Sequence, residues 1–236
     1  MILKTVNRNS LKSSISVHDK IGEGSYGSVF HICIYKDCKY ILKLIEYNKS
    51  NEKYLINEIE NQYILNKKFP RNIPKIKTYF IEQYNGKTYI FIIMDYLKNY
   101  ITLDIYLENT KTNRDVSIFS KIIKLIEKIN KENFIHGDLH SNNIMINKTL
   151  TRFYIIDFGY SVNYNKKNNI NLNNIPRYLI NSFDKFRFIS NLKENYDEFG
   201  IEDELLRQIL VPNIKQYIKD YEKINNKDDS WYTISF

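Results

Sequence analysis

With 236 residues, 43% of them hydrophobic and 14% aromatic, the chain can bury a full core as one domain or as two parts of about 100 residues each, which argues against a disordered polypeptide. Lysine and arginine exceed aspartate and glutamate by 35 to 27, a formal charge of +8 spread along the chain; acidic protein segments, nucleotides and nucleic acid are all admitted as partners, and charge does not choose among them. Cys33 and Cys38 are the only cysteines and have no partner at metal-type spacing, so no disulfide framework is expected and a reducing compartment fits. The first ten residues lack an apolar signal core and no run reaches membrane-span length, so a soluble, cytoplasmic protein is expected.

Residues 1–16 read as a polar lead-in. Ile21-Gly22-Glu23-Gly24-Ser25-Tyr26-Gly27-Ser28-Val29-Phe30 follows, and its glycines run into the β-branched and aromatic segment Val29–Tyr35. Strand, glycine turn, strand is the wrong context for a dinucleotide fold, whose glycines open a helix, and the right one for a flap whose backbone N–H groups close over phosphates. A turn at Lys36–Cys38 leads to a third strand, Lys39–Ile45, carrying Lys43 between Leu42 and Leu44. A lysine there either points to water at an edge or serves a phosphate. Leu55, Ile56, Ile59 and Tyr63 predict a helix over 51–66, on which either Glu58 or Glu60 can reach Lys43. Strands over Ile76–Gln83 and Thr88–Met94 flank Asn85-Gly86, a hairpin signal, which completes a five-stranded antiparallel sheet with one helix. Asp95–Asn99 reads as a linker. Ile118, Phe119, Ile122, Ile123, Ile126 and Ile129 give a helix over 117–130; an Asn/Lys-rich loop at 163–174 precedes a mostly helical pattern from Tyr178 onward, which a second loop interrupts at 225–229, before Trp231.

Most of the polar chemistry lies between these helical parts. Asp138 and Asn143 sit on a loop between Phe134-Ile135 and Ile144–Ile146, and Asp157 follows the run Phe153–Ile156. Turn residues Asn147–Thr151 pair the two runs as a hairpin, so two carboxylates and an amide gather at one end of it. Oxygen donors of this kind suit Mg²⁺.

With these pieces in this order, the chain from about Ile21 to about Asn191 resembles the protein kinase superfamily. The resemblance implies an α+β, two-lobed fold: one kinase-like domain over 1–236, with an N-lobe at 17–94, a hinge at 95–99 and a mostly helical C-lobe at 100–236. It implies that Ile21, Gly22, Glu23, Gly24 and Gly27 form the phosphate flap with Val29 above adenine. Lys43 holds the α- and β-phosphates and pairs with Glu58, which matches better than Glu60. Met94 gates the adenine pocket, and Asp95 to Leu97 form the hinge that contacts it. Asp138 orients the substrate hydroxyl and accepts its proton, while Asn143 and Asp157 bind Mg²⁺. The implied cofactors are ATP and Mg²⁺, and the implied partner is a protein substrate, an acidic one by charge; nucleic acid is admitted but unsupported, no membrane is involved, and a monomer is expected.

Departures are informative. Gly137 stands where kinases usually carry an arginine that binds an activation-loop phosphate, which predicts activity without loop phosphorylation. His140 replaces the usual lysine two residues past the aspartate, and either touches the γ-phosphate or is structural. Ile41 occupies the place of a small alanine beside adenine. Ile175-Pro176-Arg177 is a poor substitute for Ala-Pro-Glu. Asp184 resembles the buried aspartate that braces the catalytic loop through backbone N–H groups; a helix-surface aspartate is the other reading. The form His136-Gly137-Asp138-Leu139-His140 with Asn143 is similar to compact atypical kinases: RIO-type, haspin-like and small viral enzymes. The leading expectation is a minimal serine/threonine-protein kinase; the alternatives are a small-molecule phosphotransferase of the sugar or aminoglycoside type and a non-catalytic scaffold.

Overall fold

The computed structural model describes residues 14–24, 27–110, 117–164, 183–185 and 187–192. The chain divides into two compact units, residues 1–99 and 100–236.

In the first unit, strands β1 (Ile15–Gly24), β2 (Gly27–Ile34), β3 (Asp37–Glu46), β4 (Ile76–Tyr84) and β5 (Lys87–Asp95) form one sheet in the order β1-β2-β3-β5-β4, with helix α1 (Glu52–Lys68) between β3 and β4. Every neighbouring pair is antiparallel. Strand alternation sorts side chains to two faces. Ile90, Ile92 and Met94 of β5 and Ile45 of β3 pack with Leu55 and Ile59 of α1. On the other face Ile93, Leu42 and Ile32 form a second cluster, covered by Phe80 and Phe91, whose rings stack at 4.8 Å. Each fully buried isoleucine contributes about 1.5–3 kcal/mol.

The β4–β5 turn is the expected one, with Asn85 and Gly86 both at positive φ (48° and 77°). The β2–β3 turn is not. Tyr35 and Lys36 take the positive-φ positions (49° and 70°), so β3 starts at Asp37 instead of Lys39. This register overturns the expectation about the cysteines. With Ile34 opposite Asp37 across the two-residue turn, the next rung brings Cys33 against Cys38, and the two are joined by a disulfide. Strand β1 likewise starts at Ile15, ahead of the expected 17, because Ile15 pairs with Ile34 and Ser14 accepts from the Tyr35 N–H.

The second unit holds β6 (Tyr100–Thr102), α2 (Leu103–Asn109), α3 (Ser117–Lys131), β7 (Phe134–Ile135), a 3-10 turn over Ser141–Asn143, β8 (Ile144–Asn147), β9 (Phe153–Ile155) and β10 (Val162–Asn163), with helical residues at 183–185 and 187–192. Strands β6-β8-β9 form one small sheet and β10-β7 another. Helix α3 buries all six of its expected apolar positions. The β8–β9 hairpin forms as expected, its turn tied by the Asn147 side chain, which accepts from the Arg152 N–H and donates to Thr149 and Thr151. Residues 165–182 and 193–236 lie outside the described residues, with most of the 163–174 loop, Ile175–Arg177, the 225–229 loop and Trp231. No helix among the described residues is long and apolar enough to cross a membrane.

Candidate active site

In the first unit the glycine segment is the turn between β1 and β2. Gly22 stands opposite Val29, and Gly24 opposite Gly27. Gly27 is required sterically, since a Cβ there would lie 2.1 Å from the Leu44 carbonyl oxygen. Ile21 is exposed, and Glu23 pairs with Lys20 at 2.8 Å. Lys43 occupies the rung beside Val29 on β3. Its direction follows from parity: Ile41 and Ile45, two residues either side, belong to the face that packs on α1. Lys43 therefore points at the helix, where its Nζ donates to Glu58 Oε1 at 2.7 Å, the two side chains only 13% and 5% exposed. Glu58 shares the buried helix face with Leu55, Ile59 and Gln62; Glu60, about 200° further round the helix, does not.

Met94 is buried in the sheet–helix core, on the rungs of Ile41 and Ile76, with Gln62 Nε2 3.8 Å from its sulfur. The Asp95 carboxylate pairs with Lys77 at 2.9 Å, and its N–H donates to the Lys75 carbonyl. Leu97 follows β5, half-buried.

In the second unit the loop after β7 is held from beneath by Asp184. This side chain is 1% exposed. Its Oδ2 accepts from the His136 N–H at 2.7 Å and from Asn130 Nδ2 at 2.9 Å, and its Oδ1 from the Gly137 N–H at 3.0 Å. Of the two readings of Asp184, the brace is the one observed. Gly137 has φ +84°, and a Cβ on it would lie 2.4 Å from the Tyr160 carbonyl oxygen, so only glycine fits this path.

The same loop carries Asp138 and Asn143, and Asp157 follows β9 two residues on. Asn143 Nδ2 donates to the Asp138 carbonyl at 2.8 Å and lies 3.1 Å from His140 Nε2. With that ring nitrogen accepting, both amide hydrogens are engaged and Oδ1 is the atom with ligand chemistry. The Ile156 N–H donates to the Asn143 carbonyl at 3.0 Å, which sets Asp157 beside Asn143 at one end of the β8–β9 hairpin. Asp157 itself has φ +61°, a left-handed conformation that costs an aspartate little.

Four contributors to this arrangement were not assigned from sequence. His136 is buried and bridges both segments: its Nε2 is 2.9 Å from the Ile156 carbonyl, its Nδ1 accepts from the Asp138 N–H, and its ring lies 4.9 Å from that of Phe158. Arg187 Nη2 donates to Asp138 Oδ1 at 2.6 Å, and His140 Nε2 is 3.5 Å from Oδ2. Asn191 accepts from the Ser141 N–H, and Asp104 of α2 from the Ser141 hydroxyl. Burial first, then the charge of Asp184, push the Tyr164 hydroxyl far above the ordinary tyrosine range.

Comparison with known proteins agrees with this geometry. The protein kinase domain family matches residues 15–179. The chain is 27% identical over 153 residues (63% of this chain, 26% of the relative) to serine/threonine-protein kinase fray1 of Dictyostelium discoideum. It is 28% identical over 200 residues (79% and 34%) to L268 of Acanthamoeba polyphaga mimivirus, named as a serine/threonine-protein kinase. It is 30% identical over 88 residues (36% and 29%) to serine/threonine-protein kinase 1 of African swine fever virus. The matches thus span about a quarter to a third of the length of these curated relatives.

Proposed function

The chain belongs to the protein kinase family, and from that premise we propose that it transfers the γ-phosphoryl group of ATP to serine or threonine hydroxyls of a protein substrate. The observation that carries this reading is the braced loop: three donors converge on Asp184 and fix the backbone one residue before Asp138. Catalysis of this kind is mainly positioning and electrostatic stabilisation, because the transferring group offers little covalent chemistry to the protein.

Asp138 presents its carboxylate to the acceptor hydroxyl, orients it and takes its proton as the oxygen attacks phosphorus. Arg187 holds that carboxylate in place. Asn143 Oδ1 and the Asp157 carboxylate form a hard-oxygen donor pair that fits Mg²⁺, the engaged amide hydrogens of Asn143 being what turns its oxygen outward. When bound, the ion neutralises charge on the β- and γ-phosphate oxygens. Lys43, fixed by Glu58, supplies a cation for the α- and β-phosphates, and the backbone of the Gly22–Gly27 turn covers them.

The test is radiolabelled ATP with Mg²⁺, offered to the protein itself and to acidic and basic model proteins, beside an Asp138→Asn control. Label on protein that disappears in the control supports the proposal. ATP binding without transfer to any acceptor would instead indicate a scaffold.

A further inference from the structure

We propose that His18, Cys33 and Cys38 form a binding site for a soft metal ion, Zn²⁺ by ligand chemistry, when the two cysteines are thiols. The His18 imidazole nitrogen and the two sulfurs all lie within 4.8 Å of one another, and His18 Nε2 is 3.0 Å from Cys33 Sγ. Two thiolates and an imidazole are a donor set that selects zinc or copper(I) over magnesium or calcium. Tetrahedral bonds of about 2.3 Å to sulfur and about 2.0–2.1 Å to nitrogen place ligand atoms roughly 3.5–3.8 Å apart. The imidazole is already near that separation, and the sulfurs reach it once their bond opens, Cys38 lying at the exposed side of the cluster.

The backbone is shaped for this meeting. The two-residue turn at Tyr35-Lys36 sets the cysteines on facing positions of the β2–β3 hairpin. Register breaks then fall on both ladders at the same place, between Val17 and Lys20 on β1 and between Ile32 and Ile34 on β2. Bulges re-aim side chains, and the β1 break contains His18. A hairpin disulfide alone has no use for a third donor brought in from another strand. His31, two residues before Cys33 and so on its face, flanks the cluster: its Nε2 is 2.9 Å from the Cys38 carbonyl and its ring 5.4 Å from that of His18. The fourth coordination position falls to water. The site lies at the opposite end of the β1–β2 ladder from the glycine turn, since Ser16 faces Cys33 and Gly24 faces Gly27.

Reduction by an added dithiol, itself oxidised to its cyclic disulfide, yields the two thiols, and metal binding releases their two protons. The experiment takes the full chain so reduced, counts two free thiols, removes the reductant without air and titrates with Co²⁺ as the spectroscopic probe. The expected result is thiolate-to-cobalt charge-transfer absorption saturating at one equivalent and bleached by Zn²⁺. Cys33→Ser should abolish the band, and His18→Ala should weaken binding by at least about tenfold, or 1.4 kcal/mol. X-ray absorption of the Zn²⁺-loaded wild type, which depends on no variant folding, should show two sulfur and two nitrogen or oxygen neighbours. Two titratable thiols with no charge-transfer band, a zinc shell without sulfur, or an unchanged affinity in folded His18→Ala would each overturn the proposal.

Discussion

Asp184→Asn tests whether the candidate catalytic loop is held as described. The carboxylate accepts three hydrogen bonds, two on Oδ2 and one on Oδ1, in a site that is 1% exposed. An asparagine keeps one acceptor. With its oxygen at the Oδ2 position, the bonds from His136 and Asn130 survive but become neutral, and the new amide confronts the Gly137 N–H, donor against donor. Charge-assisted bonds of about 1.5–3 kcal/mol fall to about 0.5–1.5, and one buried donor is orphaned at about 1–3 kcal/mol. Even at the low end of these ranges the total loss is about 3 kcal/mol, or about a hundredfold in a local opening equilibrium. Amide hydrogen exchange reads this directly, since the His136 and Gly137 N–H groups are themselves the donors. Both should exchange about a hundredfold faster in the variant, with kcat lower as Asp138 loses its anchorage. Exchange at these two amides within threefold of the wild type would refute the brace, whatever the activity.

Four further outcomes follow from the geometry. Glu58→Ala removes the carboxylate that Lys43 reaches at 2.7 Å in a largely buried pair; breaking such a pair costs about 3–5 kcal/mol, which should lower the thermal midpoint by about 6–20 °C and abolish phosphoryl transfer, whereas a midpoint within 2–3 °C of wild type, roughly the shift of 1 kcal/mol, would mean that the pair is solvated. Gly137→Ala forces a Cβ against the Tyr160 carbonyl at positive φ and should remove measurable turnover, whereas an active variant would show that the loop path is not obligatory. Arg187→Ala breaks a pair whose side chains are 47% and 25% exposed; exposed pairs are worth about 0–1 kcal/mol, so kcat/KM should change by no more than about fivefold, and a loss beyond a hundredfold would place the guanidinium on the phosphate instead. Tyr164 has its pKa raised by burial and Asp184, so the folded state holds the phenolic proton more tightly than the unfolded chain. Its contribution is complete below the unfolded value near 10 and is lost as pH rises above it; urea titrations should show an alkaline decline beginning there that Tyr164→Phe reduces, and an unchanged decline would count against the assignment.

Where the sequence alone sufficed, a local pattern coincided with the tertiary one. Asn85-Gly86 fits the two positive-φ positions of its turn, and the apolar positions of α3 are buried at helical spacing. Lys43 was ambiguous alone, but its parity with Ile41 and Ile45 decides its direction once those residues are known to face α1. The β2–β3 turn was expected at Lys36–Cys38 and falls earlier, at Tyr35-Lys36, because those two carry no turn residue; strand register holds both at positive φ against their own preference. Strand β6 and helix α2 went unassigned because three residues and two buried leucines, Leu103 and Leu107, make too short a pattern for either period. The contacts of Asp138 with Arg187 and of Ser141 with Asn191 span 49 and 50 residues, and no spacing rule reaches that far.

Gly137 changes meaning most between sequence and structure. As a residue type it reads as a missing arginine, and so as the loss of a regulatory cation. In the fold, its φ of +84° and the Tyr160 carbonyl oxygen 2.4 Å from any Cβ make glycine a condition of the loop's path, with the adjacent N–H spent on Asp184. The absence of an arginine is then a consequence of how this loop is packed. Restoring one by Gly137→Arg would not recreate a phosphate-binding pocket, because the longer side chain begins with the same forbidden Cβ; it would displace the Tyr160 segment or pull Gly137 off Asp184. Independence from loop phosphorylation is thus proposed as a property built into the backbone here, and a single reversion of the side chain cannot undo it.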